Sequence, residues 1–225
     1  MTLRAILFDL DGTLIDQFQA IHKAFSQVIS QMGFPVPDFE TVKKSVGGAS
    51  ETTMAKLIGK ENAKEGVKLL RPIFEKEMLN GLISLPGATE VLNFCQRNNI
   101  KAAVLTNKHG PHARTVCEYL KFSPKLNFVL GANDTEWKKP DPLLTNLALK
   151  KIGGTKDDTI YVGDSPYDLQ TAQNVGMSCL LVSTGTHSES ELKKDNSVTV
   201  ESNLFDLLEN QIKPLCKSKT ENEYG

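Results

Sequence analysis

The sequence lacks an excess of charge of either sign, since 26 basic residues stand against 27 acidic ones among its 225. Charges this evenly balanced give no general attraction to nucleic acid or to an anionic membrane. Long apolar runs are also missing, and none approaches the roughly 20 residues of a membrane span. The short apolar stretch at the N-terminus is interrupted by Asp9, so it does not form the centre of a secretory signal peptide. We therefore expect a cytoplasmic protein.

Cysteine is scarce, and its spacing fits neither a metal site nor a disulfide framework. The four cysteines are Cys95, Cys117, Cys179 and Cys216, and no two of them form a CxxC pair. This spacing gives no support to zinc binding or to thioredoxin-type chemistry. We expect reduced thiols in a reducing compartment, in a chain long enough to fold without cross-links.

Apolar and charged residues occur in ordinary proportions, 40% and 24%, which excludes extended disorder and collagen-like or coiled-coil structure. Short aliphatic runs alternate with segments of helical periodicity, a pattern typical of a parallel sheet covered by helices on both faces. The alternation predicts a doubly wound α/β fold with a Rossmann-like core. The predicted strands are 5–8, 102–105, 128–130, 159–162 and 179–182, and the predicted helices between them are 88–98, 112–120, 142–152 and 167–174.

One segment interrupts the alternation, because residues 17–83 contain no convincing strand. Apolar residues recur every four positions from Ala20 to Met32, which gives a first helix one apolar stripe. Two further helices are predicted over 52–58 and 63–79. The predicted domains are therefore a Rossmann-like core of residues 1–16 and 84–225 and an inserted all-helical domain of residues 17–83.

The first candidate site follows the first predicted strand, in the order Asp9-Leu10-Asp11-Gly12-Thr13. In open α/β sheets, ligands bind outside the carboxyl ends of the strands. Two carboxylates at positions i and i+2 of an extended chain point the same way, and Gly12 allows a sharp turn after them. A polar strand end that caps the next helix is the alternative interpretation.

The second candidate follows the fourth predicted strand, where Asp164 and Asp168 are spaced to share one face of a starting helix. Asp164 alone would be interpreted as an N-cap, with Pro166 in the first helical turn. Carboxylates that converge at one sheet edge repel each other unless a cation lies between them. All-oxygen ligands favour a hard cation, so with Asp9 and Asp11 these residues predict a Mg²⁺ site.

Two further candidates could contact phosphate. Thr106 and Asn107 end the second core strand, where a hydroxyl and an amide can donate to phosphate oxygens, although the pair is also typical of a turn or cap. Lys139 precedes a predicted helix, where an ammonium group can neutralise phosphate charge, although most Lys-Lys pairs are solvated surface. Each signal is weak alone, and the order of all four along the chain is the stronger evidence.

With these motifs the sequence resembles the haloacid dehalogenase-like hydrolase superfamily, up to about residue 186. Within it, the sequence is most similar to the phosphoglycolate phosphatases, whose small helical cap carries a glycine-bearing loop like that of Gly47 and Gly48. Gln17 stands where that group usually has Ser or Thr, which leaves the exact substrate open. The motifs are FDLDGTL at 8–14, LTNK at 105–108, KKP at 138–140 and GDSPYD at 163–168.

The resemblance implies a role for each motif. Asp9 would be the nucleophile that forms an aspartyl-phosphate, and Asp11 would be the general acid and base. Mg²⁺ would bind the carboxylates of Asp9 and Asp164 and the backbone carbonyl of Asp11, and Asp168 would steady its waters. The implied substrate-binding residues are Gly12, Thr106, Asn107 and Lys139 at the phosphate, with Thr106 and Lys139 also supporting catalysis, and Gly47 and Gly48 at the leaving group.

The implied partner is a small phosphorylated metabolite, with no nucleic acid or membrane partner, and the chain would be a monomer or homodimer. Phosphatases for sugar phosphates, nucleotides or pyrophosphate share the core and stay open. A sugar phosphomutase of the same fold is disfavoured, because Ile21 stands where those enzymes have a cap histidine and His22 is turned by about 100° on a helix. A silent module that binds a phosphorylated metabolite is disfavoured because Asp9 is present. Arg71 and Lys56 could meet a substrate carboxylate, but solvated surface is the favoured interpretation.

Overall fold

The computed structural model describes residues 2–194 and 198–217. The strands are β1 (Ala5–Phe8), β2 (Ile15–Asp16), β3 (Ile83–Ser84), β4 (Lys101–His109), β5 (Phe128–Ala132), β6 (Thr159–Gly163), β7 (Ser178–Val182) and β8 (Thr199–Glu201). The helices are α1 (Phe18–Gln31), α2 (Phe39–Ser45), α3 (Ser50–Ile58), α4 (Lys60–Glu77), α5 (Ala88–Arg97), α6 (Gly110–Tyr119), α7 (Pro142–Ile152), α8 (Pro166–Gln173), α9 (Glu189–Leu192), α10 (Leu204–Leu207) and α11 (Lys213–Lys217).

Six parallel strands form one sheet in the order β5-β4-β1-β6-β7-β8. From β1 the chain builds outward through β4 and β5 and then returns to add β6 on the other side of β1. The strand order therefore reverses between β1 and β6, and open α/β sheets bind ligands at the carboxyl end of such a switch point. The predicted doubly wound parallel sheet is confirmed.

Helices cover both faces of this sheet. Successive side chains of a strand point to opposite faces, so Ile6 and Phe8 of β1 pack into one apolar cluster with α5, α6 and α10. Ala5 and Leu7 pack into a second cluster, with α7 on the other face. All four residues are buried, which explains why β1 is apolar along its whole length.

Helices α1 to α4, which we call the helical insertion, have an apolar cluster of their own. Ala24 and Val28, from the predicted stripe of α1, are fully buried there with Met54 of α3 and Phe74 of α4. The predicted domain boundaries at residues 17 and 83 stay a prediction. The predicted C-terminal boundary at residue 225 lies outside the described residues.

The two ends of the helical insertion are held together. β2 and β3 pair antiparallel, with Asp16 opposite Ile83, so the expectation of no strand over 17–83 is wrong at Ile83. Two residues are too few to show a strand period in sequence. The side-chain amide of Gln17 also donates to the Met78 carbonyl, which ties the start of α1 to the end of α4.

Seven of the strands and helices named above were not predicted, namely β2, α2, β3, α9, β8, α10 and α11. Only Val42 of α2 is buried, so this helix shows no apolar period, although Asp38 caps it by accepting from the Thr41 N–H. β8 and α10 are short elements that complete the sheet edge and cover one face. Within the described part of the chain, no helix is both long and apolar enough to cross a membrane.

Candidate active site

The residues predicted from the four motifs lie at the carboxyl ends of the central strands. Asp9 follows β1, and its N–H donates to the Val162 carbonyl of β6 at 2.9 Å. Thr106 lies in the last part of β4, and Asp164 follows β6 directly. Asp9, Thr106 and Asp164 are all buried and line one cavity at this edge of the sheet.

Three carboxylates form a buried cluster here. Asp9, Asp164 and Asp168 each place an oxygen within 4.8 Å of the other two. The Lys139 ammonium donates to Asp168 Oδ1 at 2.7 Å and to the Tyr161 hydroxyl at 3.0 Å. It also lies 2.8 Å from Asp9 Oδ1, but without hydrogen-bond alignment. Lys139 thus pairs with two of the three carboxylates, Asp9 and Asp168.

This donor set fits a small divalent cation. Asp9 Oδ1 is a buried oxygen that has no hydrogen-bond partner among the residues that the structure describes. All the clustered ligand atoms are carboxylate oxygens, which Mg²⁺ prefers. The cluster also has more negative than positive charge, and an added cation would reduce that imbalance.

Burial, together with the neighbouring charges, shifts the pKa values of the cluster. Burial, opposed by Lys139 and reinforced by Asp168, raises the pKa of Asp9 to about 6. Burial and the charges of Asp168 and Asp9 hold the pKa of Asp164 well above its usual range. Burial alone would lower the pKa of Lys139, but Asp168 and Asp9 raise it well above its usual value. Lys139 is therefore charged, and a bound cation would favour ionised Asp9 and Asp164.

Both carboxylate oxygens of Asp168 accept hydrogen bonds from other groups of the protein. Its Oδ1 accepts from Lys139, and its Oδ2 accepts from the N–H groups of Asp164 and Ser165, each at 3.1 Å, and from the Ser165 hydroxyl at 2.7 Å. Together with Ser165, it forms a capping box at the start of α8. Asp168 therefore fixes the loop that carries Asp164 and has little capacity left to bind an ion directly.

Asp164 is held by a residue that the sequence analysis did not identify. Its Oδ2 accepts from the N–H and hydroxyl of Thr186, at 2.9 and 3.1 Å, and its Oδ1 accepts from the Thr13 hydroxyl at 3.3 Å. Thr186 follows β7, so the strand-end rule that identified the other motifs could have found it. Gly12 has φ +86°, and a Cβ there would lie 2.7 Å from Asp164 Oδ2. The glycine therefore allows both the turn and the close approach of Asp164.

Asp11 is not one of the three clustered carboxylates. The Lys108 ammonium lies 3.0 Å from both of its oxygens, and the side chains of Asp11 and Lys108 are only 11% and 6% exposed. The same ammonium lies 4.8 Å from the ring centre of Phe74 in α4, a cation–π contact. Lys108 thus connects the predicted acid and base to the helical insertion. The sequence analysis gave it no role, although it follows Thr106 and Asn107 directly.

Asn107 links the two halves of the cavity. Its amide donates to the Lys139 carbonyl at 3.0 Å and to the Gly47 carbonyl at 3.1 Å, and its oxygen accepts from the Lys139 N–H at 2.9 Å. Gly47 has φ +119°, and a Cβ on it would lie 3.1 Å from the Tyr167 ring of α8. A Cβ on Gly48 would lie 3.3 Å from the Tyr167 hydroxyl. The glycine loop therefore packs against the core as well as lining the cavity.

A cavity of about 120 Å³ lies between the sheet edge and the helical insertion. We call the side with Asp9, Asp11 and Asp164 the strand-end wall, and the opposite side, formed by α1 and α4, the helical wall. The helical wall is largely apolar. Arg71 of α4 also lines the cavity and is exposed, so its interpretation as solvated surface stays a prediction. Lys56 does not line the cavity; its ammonium lies 5.5 Å from the Tyr167 ring centre.

Comparisons with known proteins agree with this architecture. The sequence model of a family described as haloacid dehalogenase-like hydrolase matches residues 6–182, which include all four motifs. A phosphoglycolate phosphatase of Photorhabdus laumondii is 28% identical over 92% of this chain and 91% of its own. A phosphoglycolate phosphatase of Pseudomonas savastanoi is 25% identical over 91% of this chain and 78% of its own.

The fold also occurs in solved structures. A haloacid dehalogenase-like family hydrolase from Streptococcus pneumoniae superposes with a TM-score of 0.81, covering 93% of this chain and 99% of its own. The two sequences are 22% identical, so this likeness concerns the fold alone.

Proposed function

This chain belongs to the haloacid dehalogenase-like hydrolase family, and we propose that it hydrolyses a small phosphomonoester with Mg²⁺ through an aspartyl-phosphate, as a phosphoglycolate phosphatase-like enzyme. As a phosphoric monoester hydrolase it needs a nucleophile, a phosphate site and a proton donor. The observation that carries the proposal is the buried cluster of Asp9, Asp164 and Asp168, two of which, Asp9 and Asp168, pair with the Lys139 ammonium. Phosphatase-named relatives over nine-tenths of the chain support the reaction class.

Asp9 is the proposed nucleophile. The hydrogen bond from its N–H to β6 fixes the residue at the end of β1, and its Oδ1 has no aligned donor within the described residues. A carboxylate at this position can attack phosphorus and carry the phosphoryl group as an aspartyl-phosphate. Mg²⁺, bound by the carboxylates of Asp9 and Asp164 and the backbone carbonyl of Asp11, would screen the repulsion between Asp9 and the phosphate dianion.

Asp168 and Lys139 position the reacting groups. Asp168 holds the Asp164 loop by accepting three hydrogen bonds from it and would steady waters on the metal. Lys139 is fixed beside Asp9, where its charge would offset the negative charge that develops on the transferring phosphoryl group. Thr106 and the turn at Gly12 would complete the phosphate site. Because every donor of the Asn107 amide is already used, we assign this residue to hold Lys139 and the Gly47 loop.

Asp11 is the proposed general acid and base. It would protonate the leaving alkoxide and then remove a proton from the water that hydrolyses the aspartyl-phosphate. In this structure Lys108 pairs with both of its oxygens. Proton transfer therefore requires the ammonium to leave Asp11, and the phosphate dianion of a substrate is the anion that can compete for it. The contact between Lys108 and Phe74 places this exchange against the helical insertion.

The cavity gives no support to a mutase. Ile21, where a sugar mutase would need a histidine, lines the cavity with an aliphatic side chain that carries no proton. His22 lies near the Pro37 carbonyl, with Nε2 at 3.2 Å from it, and is not among the cavity-lining residues. We therefore favour hydrolysis, with a small phosphorylated metabolite as partner and the cytoplasm as the location.

The test is a phosphate-release assay over 2-phosphoglycolate, sugar phosphates, nucleoside monophosphates and pyrophosphate. We expect 2-phosphoglycolate to lead, EDTA to abolish turnover, and Mg²⁺ to restore it better than the larger Ca²⁺. Asp9→Asn serves as the blank, and Asp157→Asn, at a side chain that is 76% exposed, serves as the matched control. Turnover by Asp9→Asn would remove Asp9 from the mechanism. A different leading substrate would overturn the phosphoglycolate assignment and leave the phosphatase chemistry in place.

A further inference from the structure

The helical wall carries one charge in an unusual place. Val67, Leu70, Arg71 and Phe74 all line the cavity, and their spacing along α4 puts them on one helical face. Leu70 and Phe74 are buried. A stripe of this kind is ordinarily apolar throughout. Arg71, which is exposed, thus adds a charged residue to the cavity-lining side chains of this apolar face.

Arg71 has no ion-pair partner within 4 Å among the described residues. Glu75, one turn further along α4, is paired instead with His112 at 3.2 Å. Glu51 lines the same cavity, but no ion pair joins it to Arg71 in the part of the chain that the structure describes. Of the described cavity-lining residues in the helical insertion, Arg71 carries the only positive charge. An unpaired guanidinium at a cavity wall is a ready partner for an anionic group of a ligand.

Ser50, Glu51 and Thr53 of α3 also line the cavity, but the helical wall itself favours an acid over a sugar. The side chains of Ile21, Phe25, Val67 and Leu70 offer no hydrogen-bond partner to the hydroxyl groups of a sugar. His109, across the cavity, has a pKa that is lowered by burial, by His112 and by Arg71, so the guanidinium charge acts on this imidazole. An anion beside Arg71 would oppose that positive field.

We propose that Arg71 is the specificity-determining residue for the leaving group, and that the substrate is the phosphate monoester of a hydroxy acid whose carboxylate binds Arg71. The short apolar carbon skeleton of such an acid lies against the helical wall, while its phosphate lies at Asp9. This inference rests on the proposed phosphatase function and deepens it, because it names the group that the helical insertion recognises.

The experiment compares acids with their neutral primary amides at several chain lengths. The esters are 2-phosphoglycolate, 3-phosphooxypropanoate and 4-phosphooxybutanoate, each with its amide, and the length at which the acid is favoured most gives the span from phosphate to Arg71. For the best pair, we expect kcat/KM for the acid to exceed that for the amide by about ten- to hundredfold, the range of a charge-assisted hydrogen bond. Arg71→Met should abolish this preference, and Arg71→Lys should restore part of it.

Two controls separate the effect on carboxylate recognition from the effect on phosphatase chemistry. Lys68→Met, on the same helix at a side chain that is 78% exposed and outside the cavity lining, should keep the wild-type preference. Phenyl phosphate, which has no carboxylate, reports the phosphatase chemistry alone, and the rates of each variant on the acid and on the amide are expressed relative to its rate on this ester.

The outcomes distinguish this inference from the proposed function. If wild-type enzyme hydrolyses phenyl phosphate but prefers no acid over its amide, or if Arg71→Met keeps the preference, Arg71 does not read a carboxylate. If phenyl phosphate is not hydrolysed, the phosphatase assignment fails. Calorimetry then still decides the role of Arg71. It measures the affinities of the acid and of its amide for Asp9→Asn and for the double variant Asp9→Asn with Arg71→Met. Equal affinities in both backgrounds would overturn it.

Discussion

The two walls of the cavity are built in different ways. On the strand-end wall, Asp168 accepts four hydrogen bonds and Asp164 accepts three, and glycines allow the backbone to approach them closely. On the helical wall, the exposed Arg71 lies among apolar cavity-lining side chains and forms no ion pair within the described residues. The first wall is fixed by many interactions at once, so a change there affects folding and chemistry together.

The helical wall tolerates substitutions more readily than the strand-end wall. Its apolar side chains need only to fill the available volume and to be buried, and many apolar side chains can do this. Substrate choice can therefore change on this wall without loss of the sheet or of the carboxylate cluster. The contrast predicts large combined effects from substitutions at the strand ends, and smaller effects confined to activity from substitutions at the helical insertion.

Lys139→Met should give the largest effect. It removes the ammonium shared by Asp9 and Asp168 and leaves buried carboxylates without their partner. Loss of one member of a buried pair costs about 3–5 kcal/mol in the free energy of unfolding, and phosphate release should fall with it. Urea denaturation and a turnover assay on the same preparation measure both. Lys156→Met, at an exposed ion pair with Asp157, is the control and should cost about 1 kcal/mol or less. Equal losses in the two variants would contradict the contrast between the walls.

Gly12→Ala should give the next largest effect, and Gly33→Ala is its matched control. Both glycines have positive φ, +86° and +79°, so both variants bear a backbone strain of about 1–2 kcal/mol. Only at Gly12 would the new Cβ also collide with Asp164, while at Gly33 it would meet nothing within 4 Å. Overpacking of this kind adds about 1–3 kcal/mol, and the displaced Asp164 should reduce turnover. We expect Gly33→Ala to keep full activity. Full activity in Gly12→Ala would show that turnover does not require the close approach of Asp164 to the backbone of residue 12.

The pH dependence of stability tests the buried charge without substrate. The pKa of Asp9 rises from 3.8 to about 6 on folding, so between these values the folded state binds more protons than the unfolded state. Stability is therefore lost as pH rises through this window, by about 3 kcal/mol for this group. The measurement is the difference in unfolding free energy between wild type and Asp9→Asn, both metal-free, from pH 4 to pH 8. A difference that stays flat with pH would show that Asp9 titrates normally. Added Mg²⁺ should offset the loss at pH 8 in wild type.

The sequence predicts best what local signals determine. The bounds of α7 coincide with the predicted helix over 142–152, because Asp141 caps its start, Pro142 begins it and Gly153 ends it in the left-handed region. The motif residues were found for a similar reason, since a polar residue directly after a buried strand stands out in sequence. Asp9, Thr106 and Asp164 meet because parallel strands end at one edge of the sheet.

Contacts between distant segments could not be predicted in this way. The pairing of Asp11 with Lys108, the bond from Asn107 to Gly47 and the position of Arg71 all depend on how the helical insertion docks on the sheet. No local pattern encodes that docking, because the apolar period of α4 shows which face is buried and not what it faces. Asn107 is predicted as a phosphate ligand, and the hydrogen bonds of its amide to Gly47 and Lys139 are contacts that the sequence does not indicate.

Gly47→Ala should give the smallest effect and should separate the two walls most sharply. Gly47 has φ +119° in the loop that packs on Tyr167, and Gly81, with φ +68° and no atom within 4 Å of a new Cβ, provides the matched control. Both substitutions strain the backbone, so their unfolding free energies should differ by less than about 1 kcal/mol. Only Gly47→Ala pushes against the Tyr167 ring and weakens the docked form of the helical insertion. A shift of about 1.4 kcal/mol against that form lowers kcat/KM about tenfold. If kcat/KM is unchanged in Gly47→Ala, the loop does not control access to the cavity. If stability falls far more than in Gly81→Ala, the helical insertion is part of the same cooperative unit as the strand-end wall, and the contrast between the walls is wrong.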